Sequence, residues 1–179
     1  GGSTITQQLI KQQILRDSPT FKRKATEMVY TLELEKHFTK DEILTDYLNV
    51  SPFGRNNKGQ NIAGVEEAAK GIFGKSAKDL TIPEAAFIAG LPQSPIVYTP
   101  YGADGNLKSK ENMQYGLDRQ KDVLFNLYRN GYISKKEYEA YKAYDISTEF
   151  IAPATAETAS HGYLYHVVYN EAFDKVYDY

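Results

Sequence analysis

Helix-start chemistry recurs along this chain and limits what it can fold into. A hydroxyl side chain followed three residues later by Glu or Gln occurs at Thr4 to Gln7, Thr39 to Glu42, Thr81 to Glu84 and Ser134 to Glu137. In such a capping box the first side chain accepts from the backbone N–H three residues on, and the Glu or Gln bonds back to the first residue's N–H. The apolar spacing behind these starts is helical. Leu9, Ile10 and Ile14 are the core candidates of the first helix, and Ile43, Leu44, Tyr47 and Leu48 those of the helix that Thr39 opens. Two short helices are expected at about residues 65–73 and 82–91, the second with Pro83 in its first turn. A longer one over residues 109–129 carries Met113, Leu117, Val123, Leu124 and Leu127 inward and stops at Asn130-Gly131. No run of alternating residues reads as a convincing strand, so the fold class is mainly α.

Between the helices the expectations are looser. Residues 49–64, rich in Asn and Gly, read as a loop with a turn at Ser51-Pro52. The prolines at 92, 95 and 100 argue for an extended surface crossing rather than regular helix. From Asp145 to Ala159 the composition shifts to Thr, Ala and Ser, which reads as a linker with a short strand at residues 148–151. Helical spacing returns over residues 161–177. The 179 residues therefore divide into a helical domain at 1–144 and a linker region at 145–179.

Charge points to one stretch. The net charge of −2 conceals a basic start: Lys11, Arg16, Lys22, Arg23 and Lys24 face only Asp17 within residues 1–24. A local basic patch on an acidic chain suits a compact anionic group better than nucleic acid. Within residues 21–32, Ala25, Met28, Val29 and Leu32 mark the inner face of an amphipathic helix, with Ser18-Pro19 ahead of it. Glu27 lies within helical reach of Arg23 and Lys24. Tyr30, Thr31 and Leu34 lie on Glu27's side, which suggests a cleft for an anionic ligand. An ordinary surface ion pair is the competing reading. On the first helix Thr4, Gln8 and Lys11 form a polar stripe, although a cap and a solvated lysine would give the same spacing.

Other chemistries are poorly supported. Zero cysteines exclude disulfides and thiolate metal sites. His161 and His166 miss the spacing that shares a helix face, and His37 stands alone. There is no G-x-S-x-G and no phosphate-binding glycine loop. No apolar run is long enough to span a membrane, and no signal peptide is visible.

The stretch from Gly1 to Lys11, GGSTITQQLIK, closely resembles the second signature of the peptidoglycan glycosyltransferases of family 51, the polymerase module of bifunctional class A penicillin-binding proteins. Arg23-Lys24-Ala25-Thr26-Glu27 resembles the third signature. Residues 40–44 with Tyr47-Leu48-Asn49 and Gly54 resemble the fourth, and Arg119 with Val123, Leu124 and Leu127 resembles the fifth less completely. Gln12 and Gln120 depart from the pattern, standing where the family usually has asparagine and a second arginine.

The resemblance implies a lysozyme-like helical fold at the outer face of the bacterial cytoplasmic membrane. The implied reaction joins lipid II units into glycan strands and releases undecaprenyl pyrophosphate. Lys11, Arg23 and Lys24 would hold the pyrophosphate, with Ser3, Thr4 and Gln8 lining the same cleft. Glu27 would be the catalytic acid that assists the leaving group, alone or with a divalent cation (Mg or Mn). Tyr47 and Asn49 would shape the groove, and Arg119 would join the binding set. The family's first signature, which carries its general base, precedes the second and is not found here. The chain is therefore expected to be truncated at its amino end, inactive alone, and followed in its parent by a transpeptidase domain. Its partners would be lipid II, the growing glycan strand and the membrane surface, with no nucleic acid. Two rival functions remain: a lysozyme-like glycan-cleaving enzyme, which would not need the dense cation cluster, and a non-catalytic scaffold binding lipid-linked glycan.

Overall fold

The structure, a computed structural model, describes residues 5–17, 23 and 39–154. The first helix, α1, runs Ile5–Asp17 and buries Ile10, Gln13 and Ile14. The next, α2, runs Lys40–Val50, and its N-cap Thr39 accepts from the Glu42 N–H at 3.2 Å. The amphipathic helix expected within residues 21–32 lies outside the described residues except for Arg23, which is helical and exposed. The periodic stretch at 161–177 lies outside them entirely.

The expected loop at 49–64 is in fact the end of α2 followed by an antiparallel hairpin, β1 Pro52–Arg55 and β2 Asn61–Ala63. Pro52 faces Ala63 and Arg55 faces Asn61, with an irregular register between. The polar turn composition concealed two short strands that each place one large apolar side chain inward, Phe53 and Ile62. Asn56 organises the turn, its Oδ1 accepting from the N–H groups of Lys58 at 2.9 Å and Gln60 at 3.0 Å. The outer side of β1 is tied to Thr99. The Thr99 hydroxyl accepts from Arg55 N–H at 3.0 Å and donates to the Arg55 carbonyl at 2.8 Å.

Helix α3 (Val65–Ala68) continues into a wider π-turn, Ala69–Phe73. Helix α4, Ile82–Gly90, carries the expected capping box: Glu84 N–H donates to Thr81 Oγ1, and the Thr81 N–H donates to Glu84 Oε1 at 2.7 Å. Every residue from Pro83 to Gly90 is buried. A helix apolar all round belongs at the centre of its domain, and α4 packs against both α1 and the long helix α6, Lys110–Arg129. Val123, Leu124 and Leu127 of α6 are buried as expected, while Met113 and Leu117 are half-buried.

The proline-rich crossing is not extended. Pro92 lies in the first turn of a short 3-10 helix, Leu91–Gln93, and Pro95 opens α5, Pro95–Tyr98. Proline is tolerated in a helix's first turn because its missing N–H is unused there. The Lys108 ammonium caps α5, donating to the carbonyls of Ile96 at 2.7 Å and Val97 at 3.1 Å. Its partial burial holds the Lys108 pKa below the usual lysine value.

Helix α7, Lys135–Ala143, starts with the expected Ser134–Glu137 capping box. The following segment contains no strand at 148–151. Ile146–Glu149 is a 3-10 helix, and both Ile146 and Phe150 are buried in the common core. No helix among the described residues is long and apolar enough to cross a membrane.

Candidate functional site

Two helices carry most of the expected site residues that are described. On α1, the inner face formed by Ile10, Gln13 and Ile14 is fixed by packing on α4. That rotation leaves Gln8, Gln12 and Arg16 exposed and Lys11 half-buried. Gln8 and Lys11 are three residues apart and so neighbour each other on the helix surface. The polar stripe read from spacing is thus displaced from the buried seam of α1.

The last turns of α2 carry Tyr47, half-buried, and Asn49, exposed. Their backbone is held from below. Ser51, only 2% exposed, donates its hydroxyl to the Tyr47 carbonyl at 2.6 Å, and its own carbonyl accepts from Gly64 N–H at 2.8 Å. Gly64 has φ 91° and ψ 163°, and a Cβ there would lie 2.2 Å from the Asn49 carbonyl oxygen. The hairpin therefore closes directly under the helix end that presents Tyr47 and Asn49. Helices α1 and α2 also touch, which puts both pairs of residues on neighbouring elements.

Arg119 is placed differently. It is 9% exposed on α6, and its Nε donates to the Gly90 carbonyl at 3.1 Å. Gln120, at 2% exposure, donates from Nε2 to the Pro83 carbonyl at 2.9 Å. Both side chains thus fasten α6 to backbone carbonyls at the two ends of α4. A glutamine suffices for the second of these bonds, so its replacement of arginine leaves that fastening intact.

Ser3, Thr4, Lys24 and Glu27 lie outside the described residues, and with them the expected convergence of Glu27 and Lys24 on Lys11 and Arg23. Among the described residues no group of His, Asp and Glu side chains gathers to hold a metal ion. Supporting residues that sequence reading missed are Ser51, Thr99 and Gly64. Their only signals were a Ser-Pro step, a Thr-Pro step and a glycine opening a helix, none of which identifies a tertiary partner.

The comparisons with known proteins converge on one family. A family model described as transglycosylase matches residues 1–127. The chain is 49% identical over 138 residues to penicillin-binding protein 1A of Clostridium botulinum (strain Langeland), covering 77% of this chain and 16% of that protein. It is 36% identical over 177 residues to penicillin-binding protein 2a of Streptococcus pneumoniae (strain D39), covering 98% of this chain and 22% of that protein. A crystal structure of penicillin-binding protein 1A from Haemophilus influenzae superposes with a TM-score of 0.54 at 28% identity, covering 82% of this chain and 17% of that one. The chain thus spans between 16% and 22% of the length of these relatives.

Proposed function

We propose that this chain, which belongs to the transglycosylase family, serves in its full-length protein as a peptidoglycan glycosyltransferase, joining lipid II units into glycan strands and releasing undecaprenyl pyrophosphate. The observation that carries the proposal is the family match over residues 1–127, which contains every proposed site residue from Ser3 to Arg119.

The reaction needs a base for the attacking sugar hydroxyl and fixed cations for the departing pyrophosphate. Lys11, half-buried on α1, suits the second task. A lysine partly buried on a packed helix keeps its charge near one place before the substrate arrives. Arg23 and Lys24 complete the cation set, with Ser3, Thr4 and Gln8 beside Lys11. Glu27 assists the leaving group. Tyr47 and Asn49 form a wall of the groove, stiffened by Ser51 and Gly64 beneath them. Arg119 contributes by securing α6 to α4. A divalent cation (Mg or Mn) is part of the same proposal. In this reading the full-length protein also carries a transpeptidase domain and works at the outer face of the cytoplasmic membrane.

The test is polymerisation of lipid II by the full-length protein. Wild type should give long glycan products, while Lys11→Ala and Glu27→Gln should nearly abolish them with folding unchanged. Near-normal synthesis by a well-folded Glu27→Gln protein would refute the role of Glu27. Release of soluble fragments from preformed glycan, with no polymerisation, would favour the glycan-cleaving alternative.

A further inference from the structure

We propose that residues 146–154 form a latch that ties the outgoing chain to the β1–β2 hairpin, and through it to the end of α2. This goes beyond the proposed activity and holds whether or not Tyr47 and Asn49 touch a substrate.

The argument begins at the end of the π-turn, Ala69–Phe73. The last carbonyls of any helix have no partner within it and must find one elsewhere. Here the Ala69 and Lys70 carbonyls accept from Lys75 and Gly74 in the turn that follows. The next two go to distant segments: Gly71 O accepts from Asn57 N–H at 3.3 Å, and Ile72 O accepts from Ile151 N–H at 2.9 Å. The hairpin tip and the outgoing chain thus occupy adjacent carbonyls of one helix end.

They are also bonded to each other. Asn57 Nδ2 donates to the Ala152 carbonyl at 2.9 Å, and Ala154 N–H donates to the Asn57 carbonyl at 3.0 Å. Asn57 therefore uses N–H, carbonyl and side chain on this junction. Tyr101 secures it from inside: fully buried, its hydroxyl donates to the Ile151 carbonyl at 2.5 Å. Burial raises the Tyr101 pKa, so the hydroxyl remains a donor. Phe150 anchors the segment in the core, its ring 4.9 Å from Phe87 and 5.7 Å from Phe73.

From Asn57 the connection runs along covalent and hydrogen-bonded backbone: β1, then Ser51, then the Tyr47 carbonyl and the Gly64 seat under Asn49. A force or a binding partner acting on the chain beyond Ala154 would therefore bear on the hairpin through Asn57. Coupling of this kind is reciprocal, so loosening either side loosens the other.

Hydrogen exchange read by peptide on the complete chain tests this. Phe150→Ala should lower protection about tenfold or more in residues 146–154 and in residues 52–63 together, with residues 110–129 unchanged. Asn57→Ala, made from the hairpin side, should lower protection in residues 146–154. Should Phe150→Ala unfold the whole domain, Tyr101→Phe removes a single hydroxyl and should loosen both segments in parallel, by a smaller factor. Loss of protection in residues 146–154 with a hairpin as protected as in wild type, in either variant, would overturn the proposal. So would an Asn57→Ala chain whose residues 146–154 exchange as in wild type.

Discussion

Replacing Gly64 with alanine should cost far more than replacing Gly131, although both have positive φ. Gly64 has φ 91° with ψ 163°, a region that non-glycine residues avoid at a cost of about 1–3 kcal/mol. An added Cβ would also sit 2.2 Å from the Asn49 carbonyl oxygen and 2.8 Å from its carbonyl carbon. Those are backbone atoms of α2 that no side-chain rotation can move aside, and forced overpacking adds about 1–3 kcal/mol. The combined expectation is about 2–6 kcal/mol for Gly64→Ala, reached by displacing the end of α2. Gly131 has φ 79° and nothing within 4 Å of the added carbon, so only the left-handed penalty of about 1–2 kcal/mol applies. Urea unfolding of both variants measures the difference, with an unchanged slope confirming that stability alone moved. In the full-length protein Gly64→Ala should also reduce glycan synthesis at temperatures where the domain remains folded. If the two variants fall within about 0.5 kcal/mol of each other, the close seat of Gly64 under Asn49 is not rigid and the reasoning fails.

Glu84→Gln should destabilise by about 1–3 kcal/mol in urea unfolding, because a 1%-exposed carboxylate loses its Lys75 ion pair at 3.0 Å while a carboxamide still serves the Thr81 N–H. Lys75→Met should cost more than Glu84→Gln, since it leaves the buried carboxylate charged and unpaired, whereas the 36%-exposed Lys75 is hydrated when Glu84 is neutralised; the reverse order would contradict the burial argument. Arg119→Lys, which keeps the charge but loses the fixed Nε donor to Gly90, should lower the unfolding midpoint measurably, whereas an unchanged midpoint would show that charge alone matters there. Acid should weaken the fold. Glu66, Asp104 and Glu137 have lowered pKa values first through backbone N–H donors (Ala77, Asn106 and Ser134), and Asp145 first through the Ser147 hydroxyl. Carboxyls with depressed folded pKa values contribute stability above their ordinary values of 4.5 and 3.8, and lose it as pH falls through the lowered ones. A urea midpoint that stayed level through that descent would refute this.

The helix starts were legible because N-capping is local: Thr39, Thr81, Ser109 and Ser134 each accept from a backbone N–H three residues away. The hairpin and the 146–154 segment were not, because tertiary partners create them. Asn and Gly between residues 49 and 64 read as loop until Phe53 and Ile62 find the core and Thr99 meets Arg55. Thr and Ser around Phe150 read as linker, yet the Ile72 carbonyl and Tyr101 hydroxyl that hold it come from far away in the chain. The prolines misled because their tolerance in a first turn depends on where the helix begins. At the site, spacing put Ile10 and Ile14 inward and Gln8 outward on α1, but it did not reveal that Gln13 joins the buried face or that Arg119 is buried against Gly90.

The double bond between Thr99 and Arg55 has a consequence for assembly. A strand with open N–H and C=O groups invites another chain to extend the sheet, and proteins commonly prevent this with charges, bulges or a covering element. Here a single threonine hydroxyl, accepting at 3.0 Å and donating at 2.8 Å, occupies both groups of Arg55. The outer margin of β1 is thereby denied to strand addition at Arg55, without a third strand. Valine at position 99 would keep the shape and remove both bonds, and the variant should show edge-to-edge self-association that the parent chain does not.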